Sequence, residues 1–215
     1  MSTVRVIPTR HGDARLVGDR SKHPIAALVL NHGAGGGIDS PDLEALAETL
    51  PRNGVSVLRL EQPWKVAGKK MAPRPEVLDE CLVAAVNTIR VRSPLVIGGR
   101  SAGARSAARC ARTLGATGCL ALSFPLHPPG RPEKSRLAEL DGVGLSTLVV
   151  QGERDPFGRP EEFPARYELT VVPGGDHSFN VTKRGAISQD DALGIVVEAT
   201  LEWIVRDVVG NRSRR

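Results

Sequence analysis

Apolar residues in this chain gather into short runs separated by polar, glycine-rich stretches. Residues 25–30 (IAALVL) are apolar throughout, the pattern of a strand covered on both faces. Residues 55–60 (VSVLRL), 95–97 (LVI), 119–124 (CLALSF), 146–151 (STLVVQ) and 168–172 (ELTVV) read the same way, and residues 4–8 (VRVIP) add a candidate edge strand. Between these runs the spacing becomes helical. Asp39-Ser40-Pro41 reads as a helix cap with proline at the first helical position, and Leu43, Leu46, Ala47 and Leu50 follow on one face. A helix is expected over residues 76–91, with Leu78, Cys81, Leu82, Ala85, Val86 and Ile89 aligned. Others are expected over 102–114 and 189–209, the last lined by Leu193, Val196, Val197, Leu201, Ile204 and Val208, with a short helix within 133–140.

Strands alternating with amphipathic helices imply parallel pairing through right-handed crossovers. The expected fold class is therefore α/β, a mostly parallel central sheet with helices on both faces. No repeat and no linker divides the chain, so residues 1–215 are expected to form one domain, a length sufficient for a full core. In such sheets ligands bind at the carboxyl ends of the strands, so the segments just after each strand are where chemistry is expected.

After Ile97 comes Gly99-Arg100-Ser101-Ala102-Gly103. One reading is a small-residue turn that lets a helix pack close to a sheet. The other is a nucleophile on a tight elbow, which needs small neighbours two positions either side and raises the serine hydroxyl at a helix N-terminus. After Leu30 comes Asn31-His32-Gly33-Ala34-Gly35-Gly36-Gly37. An acyl carbon under attack becomes an oxyanion that needs two preorganised N–H donors. The amide of Ala102 would supply one and the amide of Ala34 the other, with Gly35 next in order and His32 bracing the turn. As a dinucleotide loop the same turn lacks the third glycine of G-x-G-x-x-G, with Glu61 at the end of the next strand as the feature in favour. Neither glycine segment fits the phosphate loop GxxxxGK[ST].

A serine nucleophile also needs a base, and the base an orienting acid. Asp155 lies in Gly152-Glu153-Arg154-Asp155-Pro156-Phe157-Gly158, and His177 in Pro173-Gly174-Gly175-Asp176-His177-Ser178-Phe179, each just past a strand. Their order, Ser then Asp then His, is the one expected on such a sheet. Asp176 is adjacent to His177, and adjacent side chains diverge; Glu153 is the weaker candidate, so Asp155 is preferred as the acid. Arg100 and Lys69, with Lys70, are candidates for the mouth of the site, where they would favour acidic substrates. Arg105, one turn into the elbow helix, is expected to pair with Glu61.

Taken in order, HGAGGG, GRSAG, QGERDPFG and GGDHSF resemble the α/β-hydrolase superfamily over nearly the whole chain. The detailed wording is similar to a small branch that includes dienelactone-hydrolase-like and testis-expressed-30-like proteins, through the elbow from Gly99 to Arg105 and the Pro-rich segment from His127 to Arg136. The resemblance implies Ser101 as nucleophile, Asp155 as acid and His177 as base, with Gly33, Gly35, Gly99 and Gly103 shaping the site. Where a dienelactone hydrolase proper carries cysteine, this elbow carries Ser101. About 20 residues separate Phe124 from Ser146, which leaves little room for a lid. The resemblance thus implies a serine hydrolase and leaves its substrate open, while the lack of room for a lid points to a small or exposed ester or thioester; a non-catalytic protein-interaction domain is the alternative.

Composition narrows the picture further. Aromatic residues are 3% of the chain, so the core must be built from Val, Leu, Ile and Ala. The net charge of +5 lies partly in Arg212-Ser213-Arg214-Arg215 and partly around Lys65, Lys69, Lys70 and Arg74. No aromatic platform or basic helix accompanies it, which favours a solvated surface over nucleic-acid binding. No apolar run is long enough for a membrane span, and the N-terminus lacks the apolar core of a signal peptide. Cys81, Cys110 and Cys119 form no CxxC pair and read as reduced, buried thiols of a cytoplasmic protein. There is no HExxH and no Cys/His cluster, so neither a metal nor an organic cofactor is expected.

Overall fold

A computed structural model describes residues 2–210; the basic tail 212–215 lies outside the described residues. Eight strands form one sheet: β1 (Thr3–Thr9), β2 (Gly12–Asp19), β3 (Ala26–Asn31), β4 (Val55–Glu61), β5 (Leu95–Arg100), β6 (Gly118–Leu122), β7 (Ser146–Gly152) and β8 (Glu168–Val172). Their spatial order is β1-β2-β4-β3-β5-β6-β7-β8. Pairing is antiparallel at β1–β2 and β2–β4 and parallel from β4 through β8. The α/β architecture expected from the alternating pattern is the one observed.

The helices are α1 (Pro41–Thr49), α2 (Pro63–Val66), α3 (Pro75–Asn87), α4 (Ala102–Cys110), α5 (Leu137–Asp141) and α6 (Gln189–Trp203). Each covers the sheet with the face its apolar spacing defines. Leu82, Ala85, Ala104 and Ala107 pack with Val29, Ile97 and Ala121 on one side of the sheet. Leu43, Leu46, Val196 and Trp203 pack with Leu28, Leu30, Val96 and Leu120 on the other. Strands β3 and β6 are buried along their whole length, which explains their unbroken apolar runs.

Several boundaries differ from the sequence reading. Strand β2 was not expected, because charges interrupt HGDARLVGD; its apolar positions Ala14 and Leu16 alternate with exposed ones, as a half-covered strand requires. The helix expected over 76–91 stops at Asn87, and that over 102–114 at Cys110. The helix expected over 189–209 is α-helical to Trp203 and then widens into a π-helical stretch, Ile204–Val209, that keeps Ile204 and Val208 buried. At Ser40 the hydroxyl donates back to the Gly37 carbonyl at 2.9 Å and leaves the α1 amides uncapped by its side chain.

Only a short 3-10 turn (Pro132–Lys134) and the five-residue α5 interrupt the connection from β6 to β7, so no cap domain sits there. Strands β3 and β5 are neighbours, with Asn31 beside Gly99, while the chain leaves β3 toward β4 and β5 toward β6. The carboxyl ends of β3 and β5 thus mark the point where the strand order reverses, and a crevice opens there.

Trp203 closes the core beneath α6. It is buried, its indole Nε1 donates to Ser146 Oγ at 3.0 Å, and its ring lies where a side chain at Gly118 would be. Replacing Trp203 with Ala is expected to cost about 3–5 kcal/mol, read as a loss of unfolding free energy in urea.

Candidate active site

Four strand ends supply this site. The chain leaves β5 at Arg100 and turns at once into α4, which forces Ser101 into φ 52°, ψ −118°. Such backbone costs a non-glycine residue about 1–3 kcal/mol and persists only when its surroundings hold it. The Ser101 amide donates to the Leu122 carbonyl at 2.9 Å, which ties the elbow to β6. The elbow is also pressed against the end of β3. A Cβ on Gly99 would stand 2.7 Å from the Gly103 carbonyl carbon, and one on Gly103 would stand 2.7 Å from the His32 carbonyl oxygen. Both distances exclude any side chain, so the two glycines are required by close approach.

The structure brings Ser101, His177 and Asp155 together. Ser101 Oγ lies 2.8 Å from His177 Nε2, and His177 Nδ1 lies 2.7 Å from Asp155 Oδ2. With Nδ1–H donating to the carboxylate, Nε2 is left to accept from the serine hydroxyl. Asp155 is fully buried and its carboxylate is held from two more directions. The Phe157 amide donates to Oδ1 at 2.8 Å, and Gln151 Nε2 donates to Oδ2 at 2.9 Å. The Phe157 ring packs on the imidazole, with centroids 4.2 Å apart.

Gln151 and Phe157 were not singled out in the sequence. Gln151 is a buried polar residue that directly follows the apolar run Leu148–Val150 of β7, and that interruption is the signal that could have found it. Asp176, set aside as the acid, instead accepts from the amides of Ser178 and Asn180, which lower its pKa against the opposing effect of partial burial. Glu153 accepts from the Gly174 amide and thus ties the two loops together.

Gly33 lies against the serine; a Cβ placed on it would be 3.2 Å from Ser101 Cβ. Ala34 and Gly35 follow, both exposed. Among the described residues no protein acceptor takes the Ala34 amide, and Ala102, as the first residue of α4, has no acceptor within its helix. His32 underpins this turn. Its Nδ1–H donates to the Gly33 carbonyl at 2.8 Å, its Nε2 accepts from the Gln62 amide at 3.1 Å, and its ring packs on Trp64. Burial, aided by the nearby Lys65 charge and opposed by the Gly33 carbonyl, pushes its pKa down to about 4.

Two expectations are corrected, those for Arg100 and Arg105. Arg100 does not face a mouth. It is buried, with Nε 3.3 Å from Asp42 and Nη2 donating to the His177 carbonyl at 2.9 Å. Lys69 is exposed on the turn after α2, and Lys65 is the lysine that reaches the glycine turn, its Cε 3.7 Å from a Cβ placed on Gly37. Arg105 does not pair with Glu61. It makes two hydrogen bonds to Glu139 at 2.8 and 2.6 Å, because α5 rather than β4 lies beside it, while Glu61 faces Arg15 at 3.5 Å.

Residues 24–205 match the model of the alpha/beta hydrolase domain, and the chain belongs to that family. Among solved structures it is similar to a serine hydrolase without lid from Xanthomonas campestris, at 17% identity and a TM-score of 0.72 over 94% of each chain. It is also similar to a dienelactone hydrolase from Anabaena variabilis, at 18% identity and a TM-score of 0.74 over 97% of this chain and 98% of that one. A third likeness is to Est1E from Butyrivibrio proteoclasticus, at 18% identity and a TM-score of 0.69 over 94% of this chain and 99% of that one. The α/β-hydrolase fold implied by the sequence resemblance is the fold these proteins share, and the Xanthomonas campestris protein is the one described as having no lid.

Two outcomes follow from the site's packing. Gly103→Ala should destabilise the protein by about 3 kcal/mol, since the added methyl meets backbone that cannot yield; urea unfolding measures it. His32 titrates near 6.5 when unfolded and near 4 when folded. As pH falls the unfolded state takes the proton first, so stability drops from pH 6.5 toward 4, by about 3 kcal/mol from this residue. The drop between pH 7 and pH 4.5 should shrink in His32→Gln, and an unchanged drop would show that His32 is not held neutral.

Proposed function

We propose that this protein is a serine hydrolase that cleaves a small or exposed ester or thioester through an acyl-enzyme. The observation that carries the reading is the unbroken chain from Ser101 Oγ through His177 to Asp155, at 2.8 and 2.7 Å. Family membership supports it, as do the hydrolases among the proteins of similar fold.

In this reading Ser101 Oγ attacks the acyl carbon while His177 Nε2 takes its proton. Asp155, fixed by Gln151 and the Phe157 amide, keeps Nδ1–H pointed away from the serine and stabilises the imidazolium. The carbonyl oxygen gains a negative charge, which the amides of Ala34 and Ala102 receive. Collapse of this intermediate breaks the bond to the leaving alcohol or thiol, which takes the proton from His177. Water then attacks the acyl-serine with His177 again as base, releasing the acid and restoring Ser101. The short connection between β6 and β7 leaves the crevice open, which favours substrates whose acyl carbon can be reached from the surface.

The same reading takes residues 1–215 as one domain acting on a small molecule without metal or organic cofactor. Cys81, Cys110 and Cys119 are free and buried, which suits a cytoplasmic setting. Among the described residues no helix is long and apolar enough to cross a membrane.

A fluorophosphonate should add once to the wild-type protein by intact mass and not at all to Ser101→Ala. Against an ester that the wild type hydrolyses, Ser101→Ala should lower kcat about 10⁴- to 10⁶-fold. A folded wild type that takes no label would sink the proposal.

A further inference from the structure

Arg100 precedes the serine of the elbow yet turns its side chain inward, and its burial calls for an explanation. A guanidinium is always charged, and burying one is costly unless it is paired and hydrogen-bonded. Here Nη2 donates to the His177 carbonyl at 2.9 Å and to Ser178 Oγ at 3.1 Å, while Nε faces Asp42 at 3.3 Å. Asp42 sits in the first turn of α1 with its side chain 1% exposed. One planar group thus joins three elements: the end of β5, the start of α1 and the loop after β8. The loop it holds carries the imidazole that must meet Ser101.

We propose that Arg100 is a positioning residue for His177, itself locked and charge-balanced by Asp42; this rests on the hydrolase reading above. The loop after β8 has its own ties, from Asp176 to the Ser178 and Asn180 amides and from the Gly174 amide to Glu153. The Asp176 ties fix the loop's internal shape, and the Glu153 tie joins it to the loop after β7. Arg100 is the group that fixes the loop relative to the elbow, because it bonds the backbone of His177 itself. Displacement of the imidazole by about 1 Å is enough to lower a rate 100-fold.

The pair also bears on the imidazole's charge. The charged groups facing His177 are Asp155 from the loop after β7, Arg100 from β5, Asp42 from α1 and the adjacent Asp176 of its own loop. Asp42 offsets the Arg100 cation. Burial holds the Asp42 pKa above its ordinary value, and the Arg100 charge offsets only part of that rise. Without Asp42, an unbalanced cation beside His177 would disfavour the imidazolium.

The test uses the full chain and two readouts: the rate of fluorophosphonate labelling at Ser101, and the His177 imidazole pKa from an NMR titration. Arg100→Met should slow labelling about 10- to 100-fold, and Arg100→Lys should recover only part of it, since an ammonium cannot reproduce the planar fork. Asp42→Asn should lower the His177 pKa. Arg105→Met, which breaks the Glu139 pair on the same elbow helix, should lower Tm and leave labelling at the wild-type rate. Labelling within twofold of wild type in both Arg100 variants, with an unmoved His177 pKa in Asp42→Asn, would overturn the proposal. If Arg100→Met fails to fold, Arg100→Lys and Asp42→Asn carry the same decision. If the wild type takes no label, the hydrolase reading fails, and the His177 titration still shows whether the pair acts on the imidazole.

Discussion

The contact between the elbow and the end of β3 is the constraint on which the site depends. Gly99 and Gly103 let two backbones meet at a distance that any Cβ would forbid. That approach seats Ser101 beside Gly33 and lets the glycine-rich turn lie over the serine. It also holds Ser101 in its positive-φ conformation, which local preference would abandon. Sheet order makes the contact possible, because β3 and β5 are hydrogen-bonded neighbours whose following loops diverge. The topology supplies a crevice, and the glycines set how narrow it is.

Around that contact the structure buries polar groups at the strand ends and ties each to the backbone of a neighbouring loop. His32 spans from the Gly33 carbonyl to the Gln62 amide. Gln151 bridges Asp155 and the Gly158 carbonyl. Arg100 bridges Asp42 and the His177 carbonyl. Each is a planar, multidentate group placed where two loops must keep a fixed separation. Apolar residues would fill the same space, but they would take a donor from each of those carbonyls, and an unpaired buried polar group is costly.

Much of this was legible in the sequence because it follows from local rules. Continuous apolar runs gave the buried parallel strands, and residues after them held the serine, the histidine and the aspartate that the fold brings together. Strand β2 was hidden because its covered face holds only Ala14, Leu16 and Gly18 among charges. The helix ends were overestimated at 91 and 114, where apolar spacing continued past the last helical residue into turns. Arg100 and Arg105 were misassigned for one shared reason. Spacing says which residues lie near a strand end, but a long side chain chooses among partners that only the packed elements define. Arg105 lies beside α5, and no one-dimensional pattern places α5 there.

Ser101 and His177 are 76 residues apart in the chain, and β6, β7 and β8 must each dock before the two can meet. A fragment ending before β8 would contain the complete elbow and glycine turn yet lack His177. The Leu122 carbonyl that holds the Ser101 amide likewise arrives only with β6. Until that strand docks, the elbow has only its contact with the end of β3 to hold Ser101 in its positive-φ backbone. The site thus exists only where the sheet is complete through β8, and under the proposed function a partly opened chain would carry Ser101 without the histidine that takes its proton.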